Sequence, residues 1–224
     1  MKNPFDDSIL DRLFTPNPKN HDLIKTREGN TVEFKASFEA KKLWKYLKTV
    51  SAYANHDGGY LIFGIKDRPH EMLGLKGKHR RAFDDFDPAD LIDQINKFFE
   101  PMIRIEKSLY TAHGKDFGII YVFPSEIKPV ICKLGKNGED DKPELTEGMI
   151  YYRYGASSRP VKYPELQAMI QEASNRINAR WMSTLERIMS SGPERIALLD
   201  LDAKSMTAGD ATLYMDEELV SKLS

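Results

Sequence analysis

Three acidic side chains stand out in this 224-residue sequence for the chemistry they could do together: Glu28, Glu33 and Asp67. Thr31–Ser37 alternates, with Val32, Phe34 and Ala36 on one side and Thr31, Glu33 and Lys35 on the other. That period of two predicts a strand with one buried face. Glu28 lies just before it, and Glu33 and Lys35 share its polar face. Asp67 closes a second, nearly continuous apolar run, Tyr60–Lys66, suited to the middle of a sheet. If the two strands are neighbours, the carboxylates converge at one end of the sheet. Hard cations such as Mg²⁺ or Mn²⁺ prefer clustered oxygen ligands. A metal so held activates water and stabilises charge developing on a phosphate, and Lys35 is placed to neutralise a phosphodiester. The alternative is that these are unrelated surface acids, each with a nearby lysine contributing little.

Two further groups carry polar chemistry. In Asn55-His56-Asp57-Gly58-Gly59, glycines beside a strand let a phosphate approach backbone N–H groups. No Gly-Lys-Ser/Thr follows, and the order is helix to strand, so a helix stop reads better than a phosphate loop. Tyr151–Ser158 combines tyrosines, Arg153 and small hydroxyl residues. Such a strand end either stacks a base and binds a phosphate, or fills a core while Arg153 pairs with an acid. The five histidines are dispersed without metal-ligand spacing.

The elements that must position these groups follow from periodicity. Residues 1–27, with Pro4, Pro16 and Pro18, read as an arm with a short helix over Asp7–Phe14. Leu43, Trp44, Leu47, Val50, Ser51 and Ala54 recur at helical spacing within a helix of about Glu39–His56. His79–Asp87 reads as a charged loop. Asp87–Pro88 is a helix start, with an N-cap acid and proline at the first helical position. Leu91, Ile92, Ile95, Phe98 and Phe99 form that helix's buried stripe. Ile103–Leu109 and Phe117–Phe123 read as antiparallel strands about His113–Gly114. A polar loop, Leu134–Glu147, leads to a strand over Met149–Tyr154. Tyr163–Met189 is the longest helical pattern, broken at Gly192–Pro193. Arg195–Asp202 and Thr212–Met215 read as short strands with little core of their own, suggesting the start of a further domain and a chain that is part of a longer one.

Composition bounds the class. Apolar residues make up 41% and charged residues 30%, too apolar a mixture for a disordered chain. No stretch approaches the length of a membrane span, and the N-terminus lacks the basic start and apolar run of a signal peptide. A lone Cys132 forms no internal disulfide, which points to a reducing, cytoplasmic compartment. Net charge is −1, yet Phe34–Arg81 holds eleven basic against four acidic residues, a local balance of +7. Such a segment holds a phosphate backbone even in a neutral molecule, although Lys41, Lys42, Lys45 and Lys48 also suit a solvated helix face.

Glu28-x4-Glu33-Phe34-Lys35, Ser51-Ala52-Tyr53-Ala54-Asn55 with Gly58-Gly59, Leu61–Asp67, Leu73-Gly74-Leu75 and Tyr152–Ser157, in that order, resemble the Schlafen AlbA-type domain. The resemblance covers about Glu28–Pro160. It implies a metal-dependent endoribonuclease of the Schlafen branch, acting on structured RNA and above all on transfer RNA. The family's acidic triad maps onto Glu28, Glu33 and Asp67. Bacterial relatives are labelled DNA-binding or ATP-binding. The sequence departs from the pattern at Lys66, where many relatives carry an acid, and at His56, where threonine is usual. The Cys/His zinc site of animal members is missing, and this chain has one lobe where those members join two, so a homodimer is the expected source of a second.

The expectations are therefore these. The fold is α/β (α+β), a mixed and largely antiparallel sheet flanked by helices, with a 28–162 core and a C-terminal helix over 163–192 packing on it. Residues 193–224 begin a further domain. Glu28, Glu33 and Asp67 hold Mg²⁺ or Mn²⁺, and Lys35 contacts the scissile phosphate. Lys42, Lys45, Arg80, Arg81 and Arg153 contact an RNA backbone in a salt-sensitive way, stems being read by shape and 2′-hydroxyls. A toxin or phage-defence role is what the family suggests. A DNA-binding regulator, or a nucleotide sensor at Gly58–Gly59, is the alternative.

Overall fold

The structure is a computed structural model that describes residues 3–138, 141–191, 197–200, 202–208 and 211–214. The chain opens with helix α1 (Asp7–Leu13), capped by the Asp6 carboxylate accepting from the Ser8 N–H. A hairpin of β1 (Pro16–Asn17) and β2 (Asn20–Ile24) follows. Strand β3 (Val32–Lys35) leads through a short 3₁₀ turn at Ala40–Lys42 into helix α2 (Trp44–Asn55), and the chain returns as β4 (Gly59–Phe63). Helices α3 (Gly77–Asp84) and α4 (Pro88–Phe98) precede the short β5 (Phe99–Glu100). Next come β6 (Ile105–Ala112) and β7 (Lys115–Val122). Short strands β8 (Ile131–Cys132), β9 (Lys136–Asn137) and β10 (Pro143–Leu145) lead to the hairpin β11 (Tyr151–Tyr154) and β12 (Ser157–Pro160). Helix α5 (Tyr163–Ser191) and strands β13 (Ala197–Asp200), β14 (Ser205–Ala208) and β15 (Ala211–Tyr214) complete the described chain.

The central sheet has the order β3-β4-β7-β6. Only β3 and β4 run parallel, joined by the α2 crossover; β4–β7 and β7–β6 are antiparallel. This is the mixed, largely antiparallel sheet that the sequence predicts. One face, carrying Leu61, Phe63 and Ile120, packs under Leu47, Val50 and Tyr53 of α2 and Leu91 and Ile95 of α4. The other, carrying Phe34, Ile62 and Ile119, is covered by Leu10, Phe14 and Ile24. The segment read as an arm thus supplies one wall of the core. The β6–β7 turn is made by His113 (φ 51°) and Gly114 (φ 69°), two left-handed residues that match the twist of a tight hairpin.

Two local readings change. His79–Asp87, read as a loop, is mostly helix α3. Its sequence buries a single apolar side chain, Phe83, too weak a stripe to announce a helix. The fold holds it from outside: the Lys107 ammonium donates to the carbonyls of Phe83, Asp84 and Phe86 at its C-terminal end. The strand predicted over Thr31–Ser37 with one polar face is shorter, and Val32, Glu33 and Phe34 are all buried. The predicted break at Gly192–Pro193 lies outside the described residues, as does Met215.

Residues 1–170 and 171–224 form two compact units. The first contains the sheet and the start of α5; the second contains the rest of α5 and the antiparallel meander β13-β14-β15. Among the described residues no helix is long and apolar enough to cross a membrane.

Candidate nucleic-acid interface

Strand β3 is the edge of the central sheet, and its outer hydrogen-bonding groups are met by side chains and by the Gly29 N–H, which donates to the Val32 carbonyl at 3.0 Å, rather than by another strand. Glu28 Oε1 accepts from the Phe34 N–H at 2.9 Å. From the β11–β12 hairpin, Arg153 donates to the Gly29 carbonyl at 2.9 Å and to the Val32 carbonyl at 3.5 Å. An edge closed in this way is no longer a template for another strand.

Behind that edge lies a buried ionic cluster. Glu33 Oε2 accepts from the Arg153 guanidinium and Glu33 Oε1 from the Lys35 ammonium, the latter at 2.6 Å. Arg153 also reaches Ser158 Oγ at 3.2 Å, and its guanidinium lies 5.1 Å from the centre of the Tyr53 ring. Its side chain is 0% exposed. A buried charge survives only when paired and hydrogen-bonded, and Arg153 spends its donors almost entirely on doing so. Burial drives the Tyr53 hydroxyl pKa well above its ordinary value, with Glu33 and Glu28 adding to the rise and Arg153 opposing it. Among the described residues that buried hydroxyl has no hydrogen-bond partner.

The predicted carboxylates can now be placed. Parallel pairing of β3 with β4 sets Glu33 beside Leu61 and Lys35 beside Phe63, so Asp67 follows the same end of the sheet. Glu28 is half-buried with one oxygen on the Phe34 N–H. Asp67 is exposed and accepts from the N–H of its own neighbour, Arg68, at 2.9 Å. A divalent cation needs several oxygens turned towards one point. Glu33 turns both of its oxygens to cations instead, and among the described residues no three His, Cys, Asp or Glu side chains are grouped to hold a metal. In this arrangement the trio does not fit Mg²⁺ or Mn²⁺.

The predicted backbone contacts divide in the same way. Arg153 is sealed in the core and closed to a phosphate. Arg80 is tied to Asp116 at 2.7 Å and to Asp84 at 3.3 Å. Lys42 and Lys45 lie 3.7 and 3.9 Å from Glu39. Arg81 is exposed on α3. The Gly58–Gly59 joint is packed with protein: a Cβ at Gly59 would sit 2.6 Å from the Tyr53 ring, and one at Gly58, where φ is +77°, 2.6 Å from the Val122 carbonyl. It is a helix stop, with the Gly58 N–H closing α2 on the Tyr53 carbonyl at 3.0 Å.

What sequence reasoning missed is a cleft of about 850 Å³ whose wall includes Lys25, Arg27, Glu28, Arg68 and His70. Lys25, Arg27 and Arg68 are exposed, and among the described residues none of them makes an ion pair. Among the described residues Glu28 is the sole acid in the wall, and one of its two oxygens already accepts from the Phe34 N–H. His70 takes a left-handed backbone (φ 68°) and lays its ring 5.3 Å from that of Phe34. The signal was present: Lys25 and Arg27 lead directly into Glu28, and Arg68 directly follows Asp67. The hairpin tip joins the same wall through Ala156, with the Gly155 N–H donating to Asn30 Oδ1 at 2.6 Å.

A mixed sheet with a parallel β3–β4 pair, a buried Glu–Arg cluster and a cleft lined by Lys25, Arg27 and Arg68 at its edge defines an α/β domain. Residues 28–162 match the family described as Schlafen, AlbA_2, and the chain belongs to that family. It is 31% identical over 214 residues to a protein of Ureaplasma parvum serovar 3 named uncharacterized ATP-binding protein UU034, a match covering 89% of this chain. The chain spans 58% of the length of that relative. Among solved structures it resembles the DIP2311 protein of Corynebacterium diphtheriae at 16% identity and a TM-score of 0.44, over 68% of this chain and 30% of that one. It also resembles the N-terminal domain of a RecG-related protein from Nitrosomonas europaea at 22% identity and a TM-score of 0.35, over 62% and 86%. Likenesses at these scores carry no functional argument.

Proposed function

We propose that this chain is a nucleic-acid-binding domain that grips a phosphate backbone, RNA in the first instance, in the cleft at the edge of β3. The reading is carried by one observation: among the described residues, Lys25, Arg27 and Arg68 share a cleft wall with a single acid, and no ion pair neutralises them. Cations concentrated in a concave site raise the local field and draw a polyanion even when the whole molecule is neutral. The relative named as ATP-binding fits the same chemistry, because a triphosphate and a backbone present the same anionic groups.

The experiment is a set of binding titrations with single-stranded RNA, a transfer RNA, duplex DNA and ATP. The nucleic acids bind, and Arg27→Ala with Arg68→Ala weakens them together. Tight ATP binding that expels RNA would make the site a nucleotide pocket instead. Binding that persists unchanged in the double variant would remove the cleft from the account.

A second reading, metal-dependent cleavage of transfer RNA, is favoured by Glu28 standing in the same wall as the three cations. It requires Glu33 to leave Arg153, since that contact keeps the trio apart from any shared cation. Incubating transfer RNA with the protein in Mn²⁺ or in EDTA, beside Glu28→Gln, tests it. Fragments that need both the metal and Glu28 support cleavage, and intact RNA throughout leaves a binding domain.

A further inference from the structure

Among the described residues of the cleft wall, Glu28 is the one whose charge opposes a phosphate, and its two oxygens are in different states. Oε1 accepts from the Phe34 N–H at 2.9 Å, which closes that point of the β3 edge and anchors the carboxylate. No hydrogen bond among the described residues reaches Oε2. None of Lys25, Arg27 and Arg68 forms an ion pair with it, although all three stand in the same wall. Closing a strand edge needs no charge, since the neutral amide oxygen of a glutamine also accepts an N–H. What the ionised group adds is a second, acceptor-only oxygen, and that oxygen repels any phosphate brought near it.

A ligand that fills the cleft removes water from that oxygen, and a carboxylate left dry without a donor is costly. The ligand that fits brings anions for the three cations and a hydrogen-bond donor for Glu28. Along a sugar–phosphate chain, phosphate and ring oxygens only accept. The 2′-hydroxyl of ribose donates, and deoxyribose lacks it. Sugars alternate with phosphates, so a strand held by Arg27 through a phosphate presents a sugar to a neighbouring wall residue, and Glu28 is that neighbour. Donors on the bases lie beyond the backbone and differ from base to base, whereas every ribose offers the same hydroxyl.

We propose that Glu28 reads the sugar: its Oε2 accepts from a ribose 2′-hydroxyl and selects RNA over DNA, a role that rests on the cleft being the nucleic-acid site. The test measures affinity by fluorescence anisotropy for one oligouridine made as ribo, 2′-deoxy and 2′-O-methyl strands. EDTA is present, so that no cation bridges carboxylate and phosphate. Base and phosphates are the same in all three, and methylation keeps the 2′ oxygen while removing its proton. The wild type binds the ribo strand about tenfold more tightly than either of the others, the worth of one hydrogen bond to a charged acceptor. Glu28→Gln keeps an acceptor for the Phe34 N–H and a thermal midpoint near wild type. It narrows the gap, chiefly by tightening the deoxy strand, from which the repulsion has gone. Equal wild-type affinity for ribo and deoxy strands overturns the proposal. So does a 2′-O-methyl strand bound as tightly as the ribo strand, or a preference that Glu28→Gln leaves intact. Failure of the cleft itself looks different and removes both readings: no strand binds, or all three bind undiminished when Arg27→Ala is combined with Arg68→Ala.

Discussion

At the residue scale, the side chain on which most depends is Arg153. It neutralises Glu33, donates to the Gly29 and Val32 carbonyls where the chain enters β3, and bonds Ser158. Removing one member of a buried ion pair leaves the other charged and desolvated, which costs about 3–5 kcal/mol. Arg153→Met is therefore expected to lower stability by about that amount in urea unfolding, with most of the loss recovered when Glu33→Gln is added. A loss under about 1 kcal/mol would mean that the cluster is solvated and ordinary. The sequence put Glu33 and Lys35 on one strand face, and it offered Arg153 either a core or a phosphate without choosing. The choice was invisible because a partner 120 positions away decides it.

At the element scale, the α2–β4 joint and the α3 clasp show how the sheet is kept in register. Gly59 lies against the Tyr53 ring, closer than any Cβ could approach. Gly59→Ala forces ring or strand to move and is expected to cost about 1–3 kcal/mol, read as a lower thermal midpoint. Helix α3 is tied to the sheet by Arg80 and Asp116, with Thr111 also donating to Asp116 at 2.7 Å. The Arg80 hydrogen bond, and after it that of Thr111, holds the Asp116 carboxyl below its usual range. A carboxyl whose folded pKa is depressed stabilises the fold above the unfolded pKa of about 4, and that stability is lost as pH falls through the folded value. Asp116→Asn is thus expected to melt below wild type at about pH 6, the gap closing as the solution is acidified past the carboxylate range. A gap constant with pH would mean that the contact acts by shape alone.

Most of these elements were legible. The α4 start at Asp87–Pro88, the β6–β7 hairpin and the long α5 all follow from caps, turns and periodicity. Helix α3 was hidden because what holds it, the buried Phe83, the Arg80–Asp116 pair and the Lys107 ammonium, is tertiary contact with little local signature. Strands β12 and β14 were hidden as well, the former because Ser157–Pro160 shows no apolar alternation.

At the scale of the whole molecule, a net charge of −1 conceals an uneven surface. Several cations of the +7 segment are spent internally: Lys35 on Glu33, Arg80 on Asp116, Lys42 and Lys45 near Glu39. Two of the three cations left to the cleft, Lys25 and Arg27, lie outside that segment altogether. Counting charge along the chain cannot separate a solvated or paired cation from one aimed into a cavity, because only folding brings residues 25–28 and 68–70 to one wall. The account of function rests on that wall, and the salt dependence of RNA binding tests it most directly. Each lost phosphate contact lowers the slope of log K against log salt by about one. The account predicts that Arg27→Ala combined with Arg68→Ala flattens the slope by about two while the protein stays folded. A slope identical to wild type would contradict it.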